Sequence, residues 1–214
     1  INVNRFFTPV EGFPSIAEVR KEPHQHYNIG GNWHTDHSYD QIPALGSMLY
    51  AKELPKVGGD TLFAGCAAAF DTLSEGMKST LRSLRAVHSS RHVFGKSAAI
   101  PDDMADLFGN ADKALQDAEH PVVIKHPLSG RETLYVNPGF TTRFVGWTEK
   151  ESNSLLAFLY EHISRPEHTY RFQWSKGALA FWDNRATWHL AVNDYPGETR
   201  LMHRITIEGE PLEP

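Results

Sequence analysis

Short strand-like segments dominate the pattern of hydrophobic and polar positions along the chain. Apolar side chains alternate with polar ones or form brief runs rich in β-branched and aromatic residues, and turns containing Gly, Pro or Asn separate the runs. The predicted strands are residues 44–52, 60–64, 121–126, 132–137, 169–174, 178–183, 187–192 and 200–207. Two of the connections between strands are informative. The four-residue turn at 127–130 predicts a hairpin. Residues 96–119 predict a long polar excursion that folds over a site. Residues 1–31 predict short strands and loops.

Two stretches instead have the three- and four-residue spacing of a helix. The apolar positions of the first, 67–85, are Phe70, Leu73, Met77, Leu81 and Leu84. We expect Gly76 to divide this stretch into two short helices. The second begins at Thr148, and Glu151 three residues later predicts a capping box. The predicted buried stripe of this helix is Leu155, Leu156, Leu159 and Ile163.

Many short strands and few helices predict a mainly β core with a helical cover. The length of 214 residues fits a single domain over residues 1–214. The chain begins at Ile1 without an initiator methionine or a signal-peptide pattern, and Ile1 need not be the true start of the protein.

Charge and composition exclude several classes of protein. A net charge of −5 and a pI near 6.2 lack the basic footprint of a general nucleic-acid binder. No apolar run approaches the roughly 20 residues that cross a bilayer, so we expect no membrane association. The one cysteine, Cys66, excludes an intrachain disulfide and agrees with a reducing, cytoplasmic location.

Three residues form a candidate metal site. The chain has 12 histidines, and His is the commonest protein ligand for metals. His34 and Asp36 are two positions apart, so on a strand both point to one face. His189, in a predicted strand, would complete the set of two imidazoles and one carboxylate that leaves three positions open in non-haem Fe(II) oxygenases. The alternatives are an incidental surface pair for His34 and Asp36 and a structural role for His189.

A candidate anion site lies in the last predicted strand. Alternation places Arg200 and Arg204 on one face, where a buried guanidinium needs an anionic partner. The turn at 193–198 predicts a hairpin that sets His189 opposite about residue 202. The alternative is a surface strand with solvated arginines. Thr61, after the glycine turn 58–59, is able to donate a hydrogen bond to an anion.

In combination these residues resemble a known family, the taurine dioxygenase group of Fe(II)- and 2-oxoglutarate-dependent oxygenases. The matching stretches are NWHTD (32–36), AKELPKVGGDTLF (51–63), HPLSGRETLYVNPGFTTR (126–143), FWDNRATWH (181–189) and RLMHRITI (200–207). Their order and spacing match as well, from about Asn32 to the end of the chain. The resemblance implies a double-stranded β-helix, or jelly roll, with covering α-helices.

The resemblance also implies roles for single residues. His34, Asp36 and His189 match the Fe(II) ligands, while Thr61 and Arg200 match the pair that holds the distal carboxylate of the co-substrate 2-oxoglutarate. With O2 these groups would hydroxylate a substrate and release succinate and CO2. A hydroxylated carbon that carries a sulfonate or sulfate would then collapse to an aldehyde and release sulfite or sulfate.

The implied prime substrate is a small organic anion. Arg204 matches the arginine that holds its anionic head, and Phe94 and Phe140 fall where the family places aromatic rings around it. Taurine-specific members hold the amino end with a His and a Tyr upstream and an Asn shortly before the metal motif. Here the nearest equivalents are Asn4, Phe7 and Gly30, and a polar pocket for an ammonium group is missing, so we expect a sulfonate or sulfate ester with an apolar body.

Other readings stay open at this point. An aryloxy acid is an alternative substrate, and a jelly-roll binding protein without turnover or a zinc hydrolase with the same triad is an alternative function. The intact ligands together with Arg200 argue against the last two. His37, after the metal motif, is expected at the surface, and a contact with the metal ligands or the substrate is the alternative. The resemblance further implies a homo-oligomer, a dimer or a tetramer.

Overall fold

The structure, a computed structural model, describes residue 7, residues 9–95 and residues 114–214. Asn4 and most of the expected excursion, residues 96–113, lie outside the described residues. In the described remainder of that excursion, residues 114–116 are irregular and a strand begins at Asp117. Among the described residues, no helix is long and apolar enough to cross a membrane.

The described chain is mainly β. Its strands are, in order, β1 (Pro9–Val10), β2 (Phe13–Lys21), β3 (Gly46–Glu53), β4 (Thr61–Gly65), β5 (Arg85–Ser89), β6 (Asp117–Pro121), β7 (Val123–Lys125), β8 (Glu132–Leu134), β9 (Thr141–Phe144), β10 (Thr169–Phe172), β11 (Leu179–Asp183), β12 (Thr187–Ala191) and β13 (Arg200–Ile207). Its α-helices are α1 (Cys66–Asp71), α2 (Glu75–Arg82), α3 (Arg91–Phe94) and α4 (Glu149–Ile163), and a short 3-10 helix spans Pro166–His168.

Two antiparallel sheets form the centre of the molecule. The larger has the strand order β1-β2-β13-β3-β11, and the smaller has the order β10-β4-β12. Leu49 and Met202 of the larger sheet share a hydrophobic cluster with Phe63 and Phe172 of the smaller one, so apolar side chains fill the space between the sheets. Strands β6-β5-β9 form a third sheet, and β7 pairs with β8 in the predicted hairpin.

The helices cover a second and larger core. Phe70 of α1, Leu81 of α2, Leu159 of α4 and Trp188 of β12 are all buried in it. The capping box of α4 is confirmed: the Thr148 side chain accepts from the Glu151 backbone, and the Glu151 side chain accepts from the Thr148 backbone. The predicted stripe is buried except at Leu155, which is partly exposed.

The predicted break at Gly76 is wrong in position. The chain leaves α1 at Thr72 and enters α2 at Glu75, where the side chain of Ser74 accepts a hydrogen bond from the backbone of Met77. This N-cap starts the new helix at Glu75, one residue before the glycine. Gly76 lies inside α2, where it is exposed and a helix tolerates it.

The predicted hairpin of β12 with β13 is also wrong. Strand β12 pairs with β4, with Trp188 opposite Ala64, whereas β13 pairs with β2 and β3 on its two sides. Both edges of β13 are therefore occupied, and residues 192–199 cross from the smaller sheet to the larger one. The alternation within β13 is as predicted: Arg200, Met202, Arg204 and Thr206 are buried, and the residues between them are partly exposed.

Candidate metal centre

The two sheets bring His34, Asp36 and His189 together. Although 155 positions separate the two histidines, their backbones form an isolated antiparallel bridge, with His189 N–H donating to the carbonyl of His34 at 2.8 Å. Nε2 of His34 lies 3.7 Å from Oδ1 of Asp36, and Nε2 of His189 lies 3.6 Å from Oδ2. One ligand atom from each residue lies within 4.8 Å of the others, a spacing that one metal ion can bridge.

The protonation states suit metal binding. Nδ1 of His34 donates to the carbonyl of Asn32 at 2.7 Å, so the lone pair of this imidazole is on Nε2, which faces Asp36. Burial lowers the pKa of His34, although the Asp36 carboxylate opposes the shift. Burial, together with the neighbouring imidazole of His34, holds the pKa of His189 well below its usual range. Both imidazoles are therefore neutral at pH 7.

Asp36 is held as a carboxylate. Its burial alone would raise the pKa, but the charged guanidinium of Arg204 beside it outweighs burial and holds the pKa far below the usual range. Oδ2 accepts from Nη2 of Arg204 at 2.8 Å and from Oγ of Ser47 at 2.7 Å. Two neutral imidazoles and one ionised carboxylate are the donor set of a facial triad.

A cavity beside the triad contains the predicted anion-binding residues. His34, His189, Thr61, Arg200 and Arg204 all line it. Nε of Arg200 donates to the carbonyl of Gly59 at 3.0 Å, and its buried Nη2 has no hydrogen-bond partner in the part of the chain that the structure describes. Oγ1 of Thr61 accepts from the indole of Trp174 at 3.0 Å, which leaves the hydroxyl hydrogen available to a ligand.

Arg204 contacts the metal site directly, which sequence reasoning did not predict. One of its nitrogens is bonded to Asp36, while buried Nε has no partner among the described residues. Its guanidinium lies 6.0 Å from the ring centre of Phe7, which is buried despite its place near the start of the chain. Phe7 thus lies beside Arg204.

Phe140 and Phe94 form an aromatic cluster with Tyr39 and do not line this cavity. The ring of Phe140 packs edge-on against His34 with centres 6.2 Å apart. The ring of Phe94 lies 6.0 Å from Phe140, one layer further from the triad. The structure therefore brings Phe140 to the metal site and Phe94 only behind it.

Sequence reasoning missed the polar residues that support Asp36. Asn184 donates to Oγ of Ser47 at 3.3 Å and accepts from the indole of Trp182 at 3.0 Å, and the Trp182 ring lies 4.6 Å from that of His189. One signal was present: Ser47 lies on the buried face of β3 with Leu49 and Ala51, and a polar residue on such a face needs a partner.

Two further positions beside the metal motif are informative. His37 is buried, with Nδ1 3.1 Å from a carboxylate oxygen of Asp40, so the expectation of a surface histidine is wrong. Gly30 has a φ of +78°, and a Cβ there would lie 3.1 Å from the ring of His34. A side chain at Gly30 is thus disfavoured by the backbone and by the His34 ring beside it.

Sequence comparisons find relatives over most of this chain. It is 38% identical to an alkylsulfatase from Acinetobacter baylyi over 84% of its length, and 37% identical to an alpha-ketoglutarate-dependent sulfate ester dioxygenase from Pseudomonas putida over 84%. It covers 57% of the first relative and 60% of the second, so it spans little more than half the length of these proteins.

Solved structures give the same result. A taurine dioxygenase from Burkholderia xenovorans superposes with a TM-score of 0.76 and 35% identity over 94% of this chain and 66% of that one. AAD-2, in complex with Mn(II) and N-oxalylglycine, superposes with a TM-score of 0.77 and 27% identity over 92% of this chain and 76% of that one. The predicted mainly β, double-stranded β-helix fold with covering helices is confirmed. The model of the taurine catabolism dioxygenase TauD, TfdA family matches residues 1–206, and the chain belongs to this family.

Proposed function

We propose that this protein is an Fe(II)- and 2-oxoglutarate-dependent dioxygenase that hydroxylates a small organic anion, a sulfate ester or a sulfonate. One observation carries the proposal. Two neutral imidazoles and a carboxylate converge within 4.8 Å, and the same cavity contains a buried guanidinium with an unpaired N–H group. A zinc hydrolase needs the three metal ligands but has no use for a buried guanidinium beside them.

The residues fit the absent metal. His34 and His189 would offer Nε2 and Asp36 one oxygen, which leaves positions open for a co-substrate and O2. Bound Fe(II) would supply oxygen activation, in which 2-oxoglutarate is oxidised to succinate and CO2 while one oxygen atom enters the substrate. Ser47 and Arg204 keep the Asp36 carboxylate ionised and oriented for this task.

Arg200 and Thr61 would hold the distal carboxylate of 2-oxoglutarate. Nη2 of Arg200 is buried and available, and the hydroxyl of Thr61 lines the same cavity. A guanidinium grips a carboxylate through two parallel hydrogen bonds, whereas an ammonium group offers only a point charge. Burial lowers the pKa of Arg200, and a bound carboxylate would compensate for the lost solvation.

Arg204 would anchor the anionic head of the prime substrate through the N–H groups that Asp36 does not use. Phe7 and Phe140 would offer apolar surface nearby, with Phe94 behind Phe140. The names of the two relatives above favour a sulfate ester. An aryloxy acid is the second candidate, because a 2,4-dichlorophenoxyacetate dioxygenase from a Burkholderia species is 37% identical over 83% of this chain.

Gly30 argues against taurine itself. The family resemblance implies an Asn at the equivalent position of taurine-specific members, whereas the glycine offers no polar side chain to an ammonium group. An unpaired charge buried there would be destabilised, while an alkyl tail would gain about 25 cal/mol per Å² of apolar area buried.

The test is aerobic incubation with Fe(II) and 2-oxoglutarate, in which succinate is measured with each member of a substrate panel. We expect succinate release to be stimulated by a medium-chain alkyl sulfate or sulfonate, with kcat/KM at least about tenfold above that for taurine. An Arg204→Ala variant should lose its discrimination against the uncharged alcohol of the same chain length. A preference for taurine would contradict the substrate class, and absence of succinate with every compound would contradict the oxygenase.

We further propose a single domain over residues 1–214, a cytoplasmic location and a homo-oligomeric state, a dimer or a tetramer. The oligomeric state is measurable by light scattering coupled to size-exclusion chromatography. A monomer at micromolar concentration would contradict that part of the proposal.

A further inference from the structure

A cluster of charged residues outside the cavity holds together the two loops that lead to Thr61 and Arg200. We propose that Asp194, in this cluster, is a positioning residue for 2-oxoglutarate that acts through Gly59 on the guanidinium of Arg200. The inference rests on the proposed function, in which Arg200 and Thr61 hold the distal carboxylate of this co-substrate.

Gly59 links the two side chains. Its N–H donates to Oδ1 of Asp194 at 2.7 Å, and its carbonyl accepts from Nε of Arg200 at 3.0 Å. With Gly58 and Gly59 at φ values of +84° and +71°, the turn has a backbone conformation that other residues rarely adopt. The position of the Gly59 carbonyl, and with it the direction of the Arg200 fork, therefore depends on how Asp194 holds the turn.

The turn is packed tightly between its two neighbours. A Cβ on Gly58 would collide with the carboxylate of Asp194, and a Cβ on Gly59 would lie 3.2 Å from Cδ of Arg200. Because no space separates the turn from Arg200, a shift of the turn is transmitted to the guanidinium.

Further contacts tie the same loops together. Arg171 of β10 bridges two carboxylates, with Nε 2.6 Å from Asp60 and Nη2 3.2 Å from Asp194. Lys56 N–H donates to the Glu198 side chain at 2.8 Å. The loop before Thr61 and the loop before Arg200 are thus connected at several points, although the two residues belong to different sheets.

This connection matters for binding because a bidentate contact requires a preset orientation. The bond from Nε to Gly59 fixes the plane of the Arg200 guanidinium and leaves Nη2 for the ligand. If the turn moved freely, ordering the guanidinium would oppose binding. Asp194 is outside the residues that line the cavity, so it would act through the turn and its contact with Arg171, and not by touching the ligand.

The test measures the dissociation constant of 2-oxoglutarate in the presence of Mn(II), by calorimetry, for the wild type and matched variants. We expect Asp194→Ala to raise it about tenfold, which corresponds to about 1.4 kcal/mol. Asp194→Asn keeps an oxygen acceptor for Gly59 and should stay within about threefold of the wild type. Asp71→Ala is the matched control, because it removes an exposed ion pair with Arg131, 2.6 Å long, and neither residue lines the cavity.

A second arm separates positioning from a general loss of stability. In an Arg200→Lys background the link to Gly59 is already altered, so Asp194→Ala should raise the dissociation constant of 2-oxoglutarate by less than about twofold more. A general structural effect would instead raise it by the full tenfold again. If Asp194→Ala does not fold, Arg171→Gln replaces it, with an expected increase of about threefold.

The outcomes are distinct. Wild-type protein that does not bind 2-oxoglutarate overturns the proposed function and the inference with it. Wild-type protein that binds, together with a folded Asp194→Ala that binds equally well, overturns only the positioning role. If Asp194→Ala raises the dissociation constant about tenfold in the Arg200→Lys background as well, the positioning role is also overturned.

Discussion

At the scale of single residues, the site is marked by buried polar groups whose hydrogen bonds are incomplete. Nδ1 of His189, Nη2 of Arg200 and Nε of Arg204 have no partner in the described part of the chain. Each such group costs roughly 1–3 kcal/mol of stability when it stays unsatisfied. Arg200 and Arg204 line one cavity, where an anionic ligand would complete these two guanidinium groups.

Replacing His189 with Ala should abolish Fe(II) binding and lower turnover by at least about a hundredfold, because two of three ligands rarely hold the ion. The fold should survive, since the two hydrophobic cores do not depend on the metal. Iron content and succinate release are the measurements, and circular dichroism checks the fold. His203→Ala, on the outer face of β13, is the control and should retain both properties.

Asp36→Ala should lower the free energy of unfolding more than His189→Ala does. Asp36→Ala leaves the buried guanidinium of Arg204 without its carboxylate, and breaking a buried pair costs about 3–5 kcal/mol. Chemical denaturation of the metal-free variants measures the difference. Equal stability of the two variants would show that Arg204 finds another partner.

Arg200→Ala should raise the 2-oxoglutarate KM about ten- to a hundredfold, because a hydrogen bond to a charged group is worth roughly 1.5–3 kcal/mol. The KM of the prime substrate should change far less. Arg200→Lys should recover only part of the affinity, since one ammonium cannot reproduce the fork. An unchanged 2-oxoglutarate KM in Arg200→Ala would remove Arg200 from the co-substrate site.

At the scale of elements, the alternation of buried and exposed residues predicted the faces of a strand correctly, whereas the order of the strands along the chain did not predict which strands pair. The period of two in β13 correctly placed both arginines on the buried face. The eight-residue connection before it was misread as a hairpin, because a turn-rich sequence does not say whether the next strand pairs with the previous one or crosses to another sheet. The arginines still reach the metal site, from the facing sheet instead of from the neighbouring strand.

Helix α4 offers a test of local sequence information. Thr148→Ala removes the side chain that accepts from the backbone of Glu151, and it should lower the free energy of unfolding by about 1 kcal/mol. Thermal or urea unfolding measures the change. Thr148→Ser is the matched control and should stay near the wild type; an Ala variant as stable as the Ser variant would show that the cap adds nothing.

At the scale of the whole molecule, buried histidines should make stability depend on pH. Burial holds the pKa of His88 well below its usual 6.5, with the neighbouring His120 contributing in the same direction. The unfolded chain therefore binds more protons than the folded one once the pH falls below about 6.5, and stability declines with falling pH. The contribution of His88 is present above that pH and is lost progressively below it.

His88→Gln should flatten this dependence between pH 7 and 5, measured as the free energy of unfolding from urea titrations of the metal-free protein. The slope should fall by up to about 1.4 kcal/mol per pH unit, the value for one proton. His24→Gln, at an exposed position, is the control and should leave the slope unchanged. Identical slopes for wild type and His88→Gln would show that His88 takes up a proton in the folded state as readily as in the unfolded one.

The sequence by itself determined what local periodicity and motif order can specify. Alternation, helical spacing and the capping box depend on neighbours a few positions away, and they indicated the strands, helix α4 and the buried face of β13. The ligand set and the anion-binding pair followed from the order of the matching stretches. Only the tertiary structure decided the contacts between residues distant in the chain. These are the pairing of β12 with β4 and the bond of Arg204 to Asp36. The burial of His37 and the link from Asp194 through Gly59 to Arg200 belong to the same group. These contacts join residues that no local pattern relates, because they exist only once folding brings distant segments of the chain side by side.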